Sequence, residues 1–329
     1  MSGSDDPQIA LRALIAEELA TPVRPSVEWL AREVAARHGD AVVGVLFYGS
    51  CLRNETDEGV LDYWVVVDDY AKAHAKAAHA TVNRIAPPSV YYLEREHEGQ
   101  TLRTKYGVLD RRAFERGTSL EARHPYVWAR FAQPARLLVC RDDAAREFFE
   151  GAIAQAVVTF VARLFCHLPD QSGLLRFSLA AFWQTAFRTT YDSERRPEAD
   201  ATITGHYHAD QARYDEAARL AFHVLARTRF VDEAMEHPRS FSITVAPARL
   251  KRMRLDWRVM RAVSRATGLA RLFKTAFTFG DWVPYVLWKL ERHAGHAIEL
   301  TDRQRRHPLI FAWPIILPLI LRRNLRQDA

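Results

Sequence analysis

Cysteine is scarce. The 329 residues contain three, Cys51, Cys140 and Cys166, an odd number at spacings that match no metal-binding motif. This argues against a disulfide framework and a cysteine-based zinc site, and it fits a reducing compartment. The N-terminus, Met-Ser-Gly-Ser-Asp-Asp-Pro, has neither a basic start nor an apolar core, so no secretory signal is expected. Internal repeats and low-complexity tracts are also lacking. Residues 308–321 carry no charge, but fourteen residues are too few to cross a bilayer comfortably. As a helix they would reach ~21 Å against ~30 Å of hydrocarbon. Pro314 and Pro318 also disfavour a regular helix.

What is present describes a globular chain long enough for two domains, 48% hydrophobic and 26% charged. Net charge is +6, and residues 249–274 hold nine Lys/Arg and one acid, Asp256. Such a stretch suits phosphates in nucleotides, nucleic acid or anionic lipid; a solvated helix face is the alternative. Arg303, Arg305 and Arg306 precede the apolar segment, and Arg322, Arg323 and Arg326 follow it. These flanks point to a peripheral membrane anchor, with a buried C-terminal core segment as the alternative.

Apolar periodicity predicts helices over 8–20, 26–37 and 71–84, and strands over 41–47, 60–67, 90–93 and 102–108. From about residue 144 the pattern reads as helical, over 144–167, 174–190, 209–236, 250–265 and 283–293, with a connector at 238–247. The expected architecture is a mixed α/β domain over 1–140, a mostly α-helical domain over 141–300, and a basic and apolar tail over 301–329.

The chemistry-bearing pattern is Phe47-Tyr48-Gly49-Ser50 closing one strand and Leu61-Asp62-Tyr63-Trp64 in the next, with eleven residues between Ser50 and Asp62. DNA polymerase β-type nucleotidyltransferases begin in this way. A glycine lets the backbone approach a triphosphate, and a hydroxyl with neighbouring N–H groups can bond phosphate oxygens. The acid on the next strand holds Mg²⁺, which neutralises charge as pyrophosphate leaves. Most members carry a second acid two residues on, sharing the face. Here that position is Trp64. Asp68 shares the face but lies ~20 Å along the strand, so a second ligand must come from elsewhere, or the protein is not an enzyme.

The sequence resembles the mitochondrial translocator assembly and maintenance family, which are peripheral CDP-diacylglycerol synthases. The resemblance rests on Tyr48-Gly49-Ser50, Leu61-Asp62 without a second acid, Val67-Asp68-Asp69 with His74 five residues on, Ser89-Val90-Tyr91-Tyr92, and Lys105-Tyr106-Gly107-Val108. It continues more loosely through Arg130 and Pro134, Leu168-Pro169, Tyr191-Asp192-Ser193-Glu194-Arg195, and the segment Lys274 to Gly280. The family's Asn residues after His74 are replaced in a stretch holding Ala77 and Ala78, and its Gly-Asp has become Tyr191-Asp192.

The resemblance implies a nucleotidyltransferase making CDP-diacylglycerol from CTP and phosphatidic acid. It would work at an anionic membrane surface, on the cytoplasmic side (the matrix face in a mitochondrion), with Mg²⁺ or another divalent cation and no nucleic-acid partner. Asp62 would be the primary metal ligand and Asp192 the second. Tyr48, Gly49, Ser50, Lys105 and Arg195 would hold the nucleotide, and His74 and Arg130 would contact phosphate. Structural alternatives stand beside these roles. They are a loop-capping acid for Asp62, a tight turn for Gly49-Ser50, a surface lysine for Lys105, a helix-end ion pair for Asp192 with Arg195, and a helix-surface histidine for His74. Trp183, Trp282 and Trp288 read as packing residues. Two other functional classes remain open: a non-catalytic nucleotide-binding protein, and a nucleotidyltransferase acting on RNA or a small alcohol.

Overall fold

The computed structural model describes residues 6–74, 77–85, 87–193, 200–238 and 240–278. The chain divides into two units, residues 1–275 and 276–329, and the elements below belong to the first, only the last residues of the final helix passing its end. Arg195, Trp282, Trp288, the helix expected over 283–293 and the segment 308–321 lie outside the described residues.

Asp6 opens the first helix, α1 (Pro7–Ala20), by accepting from the Gln8 N–H at 2.9 Å, with Pro7 in the first turn where its missing N–H costs nothing. Leu11, Ile15, Glu18 and Leu19 form its buried stripe. Helix α2 (Pro25–Ala36) buries Val27, Leu30, Ala31 and Val34 at the same helical spacing. Strand β1 (Val42–Tyr48) follows, then a single turn, α3 (Ser50–Arg53), strand β2 (Val60–Val67), a second short turn, α4 (Tyr70–Ala73), and α5 (Ala77–Ile85). The hairpin of β3 (Ser89–His97) and β4 (Gln100–Asp110), helices α6 (Arg111–Thr118) and α7 (Trp128–Phe131), and strand β5 (Ala135–Cys140) complete this half.

The five strands form one mixed sheet in the order β3-β4-β2-β1-β5. Only β2 and β4 run parallel; the other neighbours are antiparallel. Alternation along the strands separates two cores. Leu46, Trp64, Val66 and Leu109 face α1 and the long helix α8 (Asp143–Leu164). Val45, Phe47, Tyr63, Val65, Tyr106 and Val108 face α2, where the Tyr63 hydroxyl donates to the Val27 carbonyl at 2.7 Å.

The stretch Asp143–His167 has the length and hydropathy of a membrane-crossing helix, yet 72% of its most apolar window is buried inside the protein. It is the central helix of the larger core. That core runs from Leu11 through α8 to Met260, so the boundary expected near residue 140 falls within one continuous apolar cluster.

The second half, expected to be mostly helical, also holds strands. It contains a four-stranded sheet, β6-β7-β9-β8, made of β6 (Asp170–Gln171), β7 (Leu174–Phe177), β8 (Glu233–His237) and β9 (Ser240–Thr244). Helices α9 (Leu179–Ser193), α10 (Asp200–His208) and α11 (Gln211–Arg227) lie between β7 and β8, and α12 (Pro247–Thr278) follows β9. The helix expected over 174–190 begins only at Leu179, because Gly173 closes a hairpin turn at φ +98°. A Cβ there would lie 2.3 Å from the Val245 carbonyl oxygen. The helix expected over 209–236 ends at Arg227, and its last residues, with the 238–247 connector, pair as β8 and β9. Glu233 to His237 favour helix by composition; cross-strand pairing with Ser240 to Thr244 overrides that preference.

Candidate functional site

One row of residues crosses the five-stranded sheet in register. Ala135 pairs with Tyr48, Tyr48 with Asp62, Asp62 with Lys105, and Lys105 with Tyr92. Residues paired across strands share a face, so Tyr48, Asp62, Lys105 and Tyr92 stand side by side. The Lys105 ammonium lies 2.8 Å from Asp62 Oδ1, with the side chains 39% and 18% exposed respectively. Among the described residues that oxygen is closed to solvent and accepts no aligned hydrogen bond, and a positive charge lies against it.

Gly49 completes the pair. Its φ of +94° is open to glycine and strained for other residues. A Cβ at this position would lie 2.8 Å from Asp62 Oδ2. The end of β1 therefore turns directly against the Asp62 carboxylate, and Ser50 follows, exposed, at the start of α3.

The surroundings are charged and aromatic. Burial, reinforced by the Asp62 charge, pushes the Tyr48 phenol up to about 12, while Arg130 and Lys105 act in the opposite sense. Arg130 reaches this neighbourhood from α7. Its guanidinium sits 4.1 Å from the Tyr126 ring centre and donates to the Tyr126 carbonyl at 2.6 Å. Arg53 donates to Gln133 Oε1 at 3.1 Å, tying α3 to the loop before β5. Farther along the same face, Arg103 Nε bonds Glu94 Oε1 at 3.0 Å, and the Tyr92 hydroxyl donates to the same oxygen.

Trp64 holds the place of the usual second acid. It is buried, with Tyr126 and Phe131 against it at 5.5 and 6.2 Å between ring centres. Gly107, its partner on β4, leaves the space its indole fills; a Cβ there would meet the ring at 3.4 Å. This position is core, and a carboxylate would have no water there. Among the described residues, no group of three or more His, Cys, Asp or Glu side chains is placed to hold a metal. A single carboxylate with substrate phosphates and water is nevertheless an ordinary Mg²⁺ site, and the solvent-closed Asp62 Oδ1 is suited to a cation.

The structure thus gathers Tyr48, Gly49, Ser50, Asp62, Lys105 and Arg130. It does not bring His74 to them, and among the described residues no contact joins Asp192 to them. Asp192 is exposed near the end of α9 and makes no ion pair or hydrogen bond with a described residue. Its neighbour Tyr191 turns inward to His206 Nδ1 at 3.1 Å. His74 is buried on the opposite face of the sheet, among His38, Tyr70 and Tyr91 with ring centres at 5.8–6.3 Å. Tyr91 and Tyr106 point there because Tyr92 and Lys105, one residue along, point to the Asp62 face.

Sequence reasoning missed the brace behind the site. Glu18 accepts from the Ala135 N–H at 3.0 Å and from Arg213 Nε at 2.6 Å, and Arg213 donates to the Ala132 carbonyl at 2.5 Å. Both side chains are buried. Burial, the largest single effect, opposes the Arg213 charge, but Glu18, Tyr214 and Asp210 together hold its pKa above the ordinary value. The pair fixes the loop that brings Arg130 and Gln133 beside β1. Its partners are 195 residues apart, so no local pattern signals it. The Tyr126–Arg130 pair does follow helical i, i+4 spacing. No protein-family model matches this chain, and no curated protein matches it.

Proposed function

We propose that the chain is a nucleotidyltransferase that makes CDP-diacylglycerol and pyrophosphate from CTP and phosphatidic acid at a membrane surface. The observation that carries the reading is the meeting of Gly49, Asp62 and Lys105 on one face, at the end of β1. The resemblance in sequence supplies the choice of CTP and lipid.

In this reading Gly49 and Ser50 receive the triphosphate, and Lys105 leaves Asp62 for a phosphate oxygen. Arg130 adds a second positive charge beside Tyr48. Mg²⁺, held by Asp62 and the phosphates, would neutralise charge on the leaving pyrophosphate. A phosphate oxygen of phosphatidic acid attacks the α-phosphorus; the bond to the β-phosphate oxygen breaks, and pyrophosphate departs with its electron pair. The acceptor is an anion at neutral pH, so no strong general base is needed. Catalysis then rests on positioning and charge neutralisation, which suits a site where Trp64 replaces the second acid. Asp192 is not carried into this mechanism, since it faces solvent. The segment 308–321 would anchor the protein peripherally on the membrane.

The test is incubation of the purified protein with each nucleotide, Mg²⁺ and phosphatidic acid, followed by mass spectrometry of the lipid. CDP-diacylglycerol formed with CTP is the expected product. The second reading is a nucleotide-binding protein without turnover, and the observation favouring it is the Lys105 ammonium already seated on the single strand carboxylate. Nucleotide binding without pyrophosphate release would select it.

A further inference from the structure

A second basic site lies in the other half of the chain. Arg163 of α8, Arg229 after α11, and Arg249 and Arg252 of α12 line a cleft of about 550 Å³. Its walls also carry Leu120, Phe230 and Met253. None of the four arginines forms an ion pair with a described carboxylate, although Asp256 also lines the cleft. Arg249 donates to the carbonyls of Arg229 and Phe230 at 3.1 and 2.5 Å, which holds the turn after α11 against α12. Arg163 donates to the Leu120 carbonyl, while its Nε is buried without a partner. Burial lowers the Arg163 pKa, with Asp256 acting in the opposite sense. Four cations around an apolar floor repel one another, and an anion entering the cleft would relieve that repulsion.

The neighbouring face of α12 gives an independent observation. Leu255 and Val259, one turn apart, are each 57% exposed. Lys251, Arg252 and Arg258 are exposed on the same face. Arg252 belongs both to this stripe and to the cleft. Exposed aliphatic side chains between basic ones suit a surface that is anionic outside and apolar beneath. Nucleic acid would use the arginines but has nothing for Leu255 and Val259.

We propose that this cleft and the adjoining face of α12 dock an anionic phospholipid bilayer, with one lipid phosphate among the arginines and Leu255 and Val259 entering the apolar layer. The site shares no residue with the Asp62 site and stands whether or not the chain turns over nucleotide. Its test needs no turnover and uses phosphatidylglycerol, which is not the acceptor proposed above, so the two proposals fail separately.

The full chain is mixed with phosphatidylcholine vesicles, with or without phosphatidylglycerol, and binding is read by flotation. Binding is expected on the anionic vesicles only, and glycerol 3-phosphate in solution should not compete for it. Arg229→Glu with Arg252→Glu should weaken binding at least about tenfold, and Leu255→Ser with Val259→Ser should do the same. All four positions are exposed, and thermal melting checks that the variants fold. Hydrogen exchange on the unaltered protein should show vesicle-dependent protection at 227–231 and 247–260. Undiminished flotation of both folded variants, protection confined to 308–321, or displacement by an RNA oligonucleotide would each overturn the proposal.

Discussion

Alanine at position 49 tests whether the turn after β1 and the Asp62 carboxylate form one unit. Gly49 holds φ +94° with ψ −160°, a region that costs an L-residue ~1–3 kcal/mol. The added methyl would also lie 2.8 Å from Asp62 Oδ2, 3.3 Å from its Cβ and 3.4 Å from its Cγ. Either the strand end or the carboxylate must then shift, and together the two effects should cost about 2–3 kcal/mol. Asp62→Ala removes the Oδ2 and Cγ atoms that the methyl meets. In that background Gly49→Ala should cost only its backbone share, leaving a coupling of ~1 kcal/mol between the positions. Urea denaturation of the four proteins of this cycle, followed by circular dichroism, measures it. Costs for Gly49→Ala that agree within ~0.5 kcal/mol in the two backgrounds would refute the contact.

Two further predictions concern stability. Burial, then the charges of Arg254 and Arg261, lowers the His167 pKa from 6.5 to about 4, and burial lowers that of His38 as well. The unfolded chain therefore binds protons first, so stability present above pH 6.5 is lost as pH falls toward 4. The His167 share is roughly 1–2 kcal/mol after allowance for its partial exposure. Denaturation midpoints across this range should fall, and His167→Gln should flatten the slope; an unchanged slope would remove His167 as the cause. Glu18→Gln leaves Arg213 buried without its ion-pair carboxylate and should cost ~3–5 kcal/mol; a loss below ~1 kcal/mol in unfolding free energy would show the brace to be relaxed or hydrated.

The apolar runs of β1 and β2 were legible because both faces of these strands are buried, which leaves a continuous signal. The hairpin strands β3 and β4 were found but run longer than expected, since their outer ends alternate polar and charged residues. Strand β5 was missed: Ala135 to Cys140 is short, and Arg136 interrupts its apolar pattern. The second sheet was missed because β8 is written in helix-favouring residues, and only pairing with β9 makes it a strand.

Within the site, the meeting of Tyr48, Gly49 and Asp62 was readable from strand order. Lys105 entered by resemblance, and the parallel register of β2 and β4 places it opposite Asp62. His74 was misplaced because its face depends on how α4 packs beside His38, a long-range contact with no spacing signature. Asp192 was chosen to replace the acid missing at Trp64, but helical phase turns Tyr191 and Ser193 inward and Asp192 outward.

Pyrophosphate release by Asp62→Asn beside the unaltered protein, with CTP, Mg²⁺ and phosphatidic acid, shows whether Asp62 holds the cation of the reaction. Asparagine keeps the shape of the side chain and removes the charge that pairs with Lys105. If Asp62 holds the cation, turnover should fall by several orders of magnitude in a variant that still folds. Near-normal release from the folded variant would remove Asp62 from the reaction.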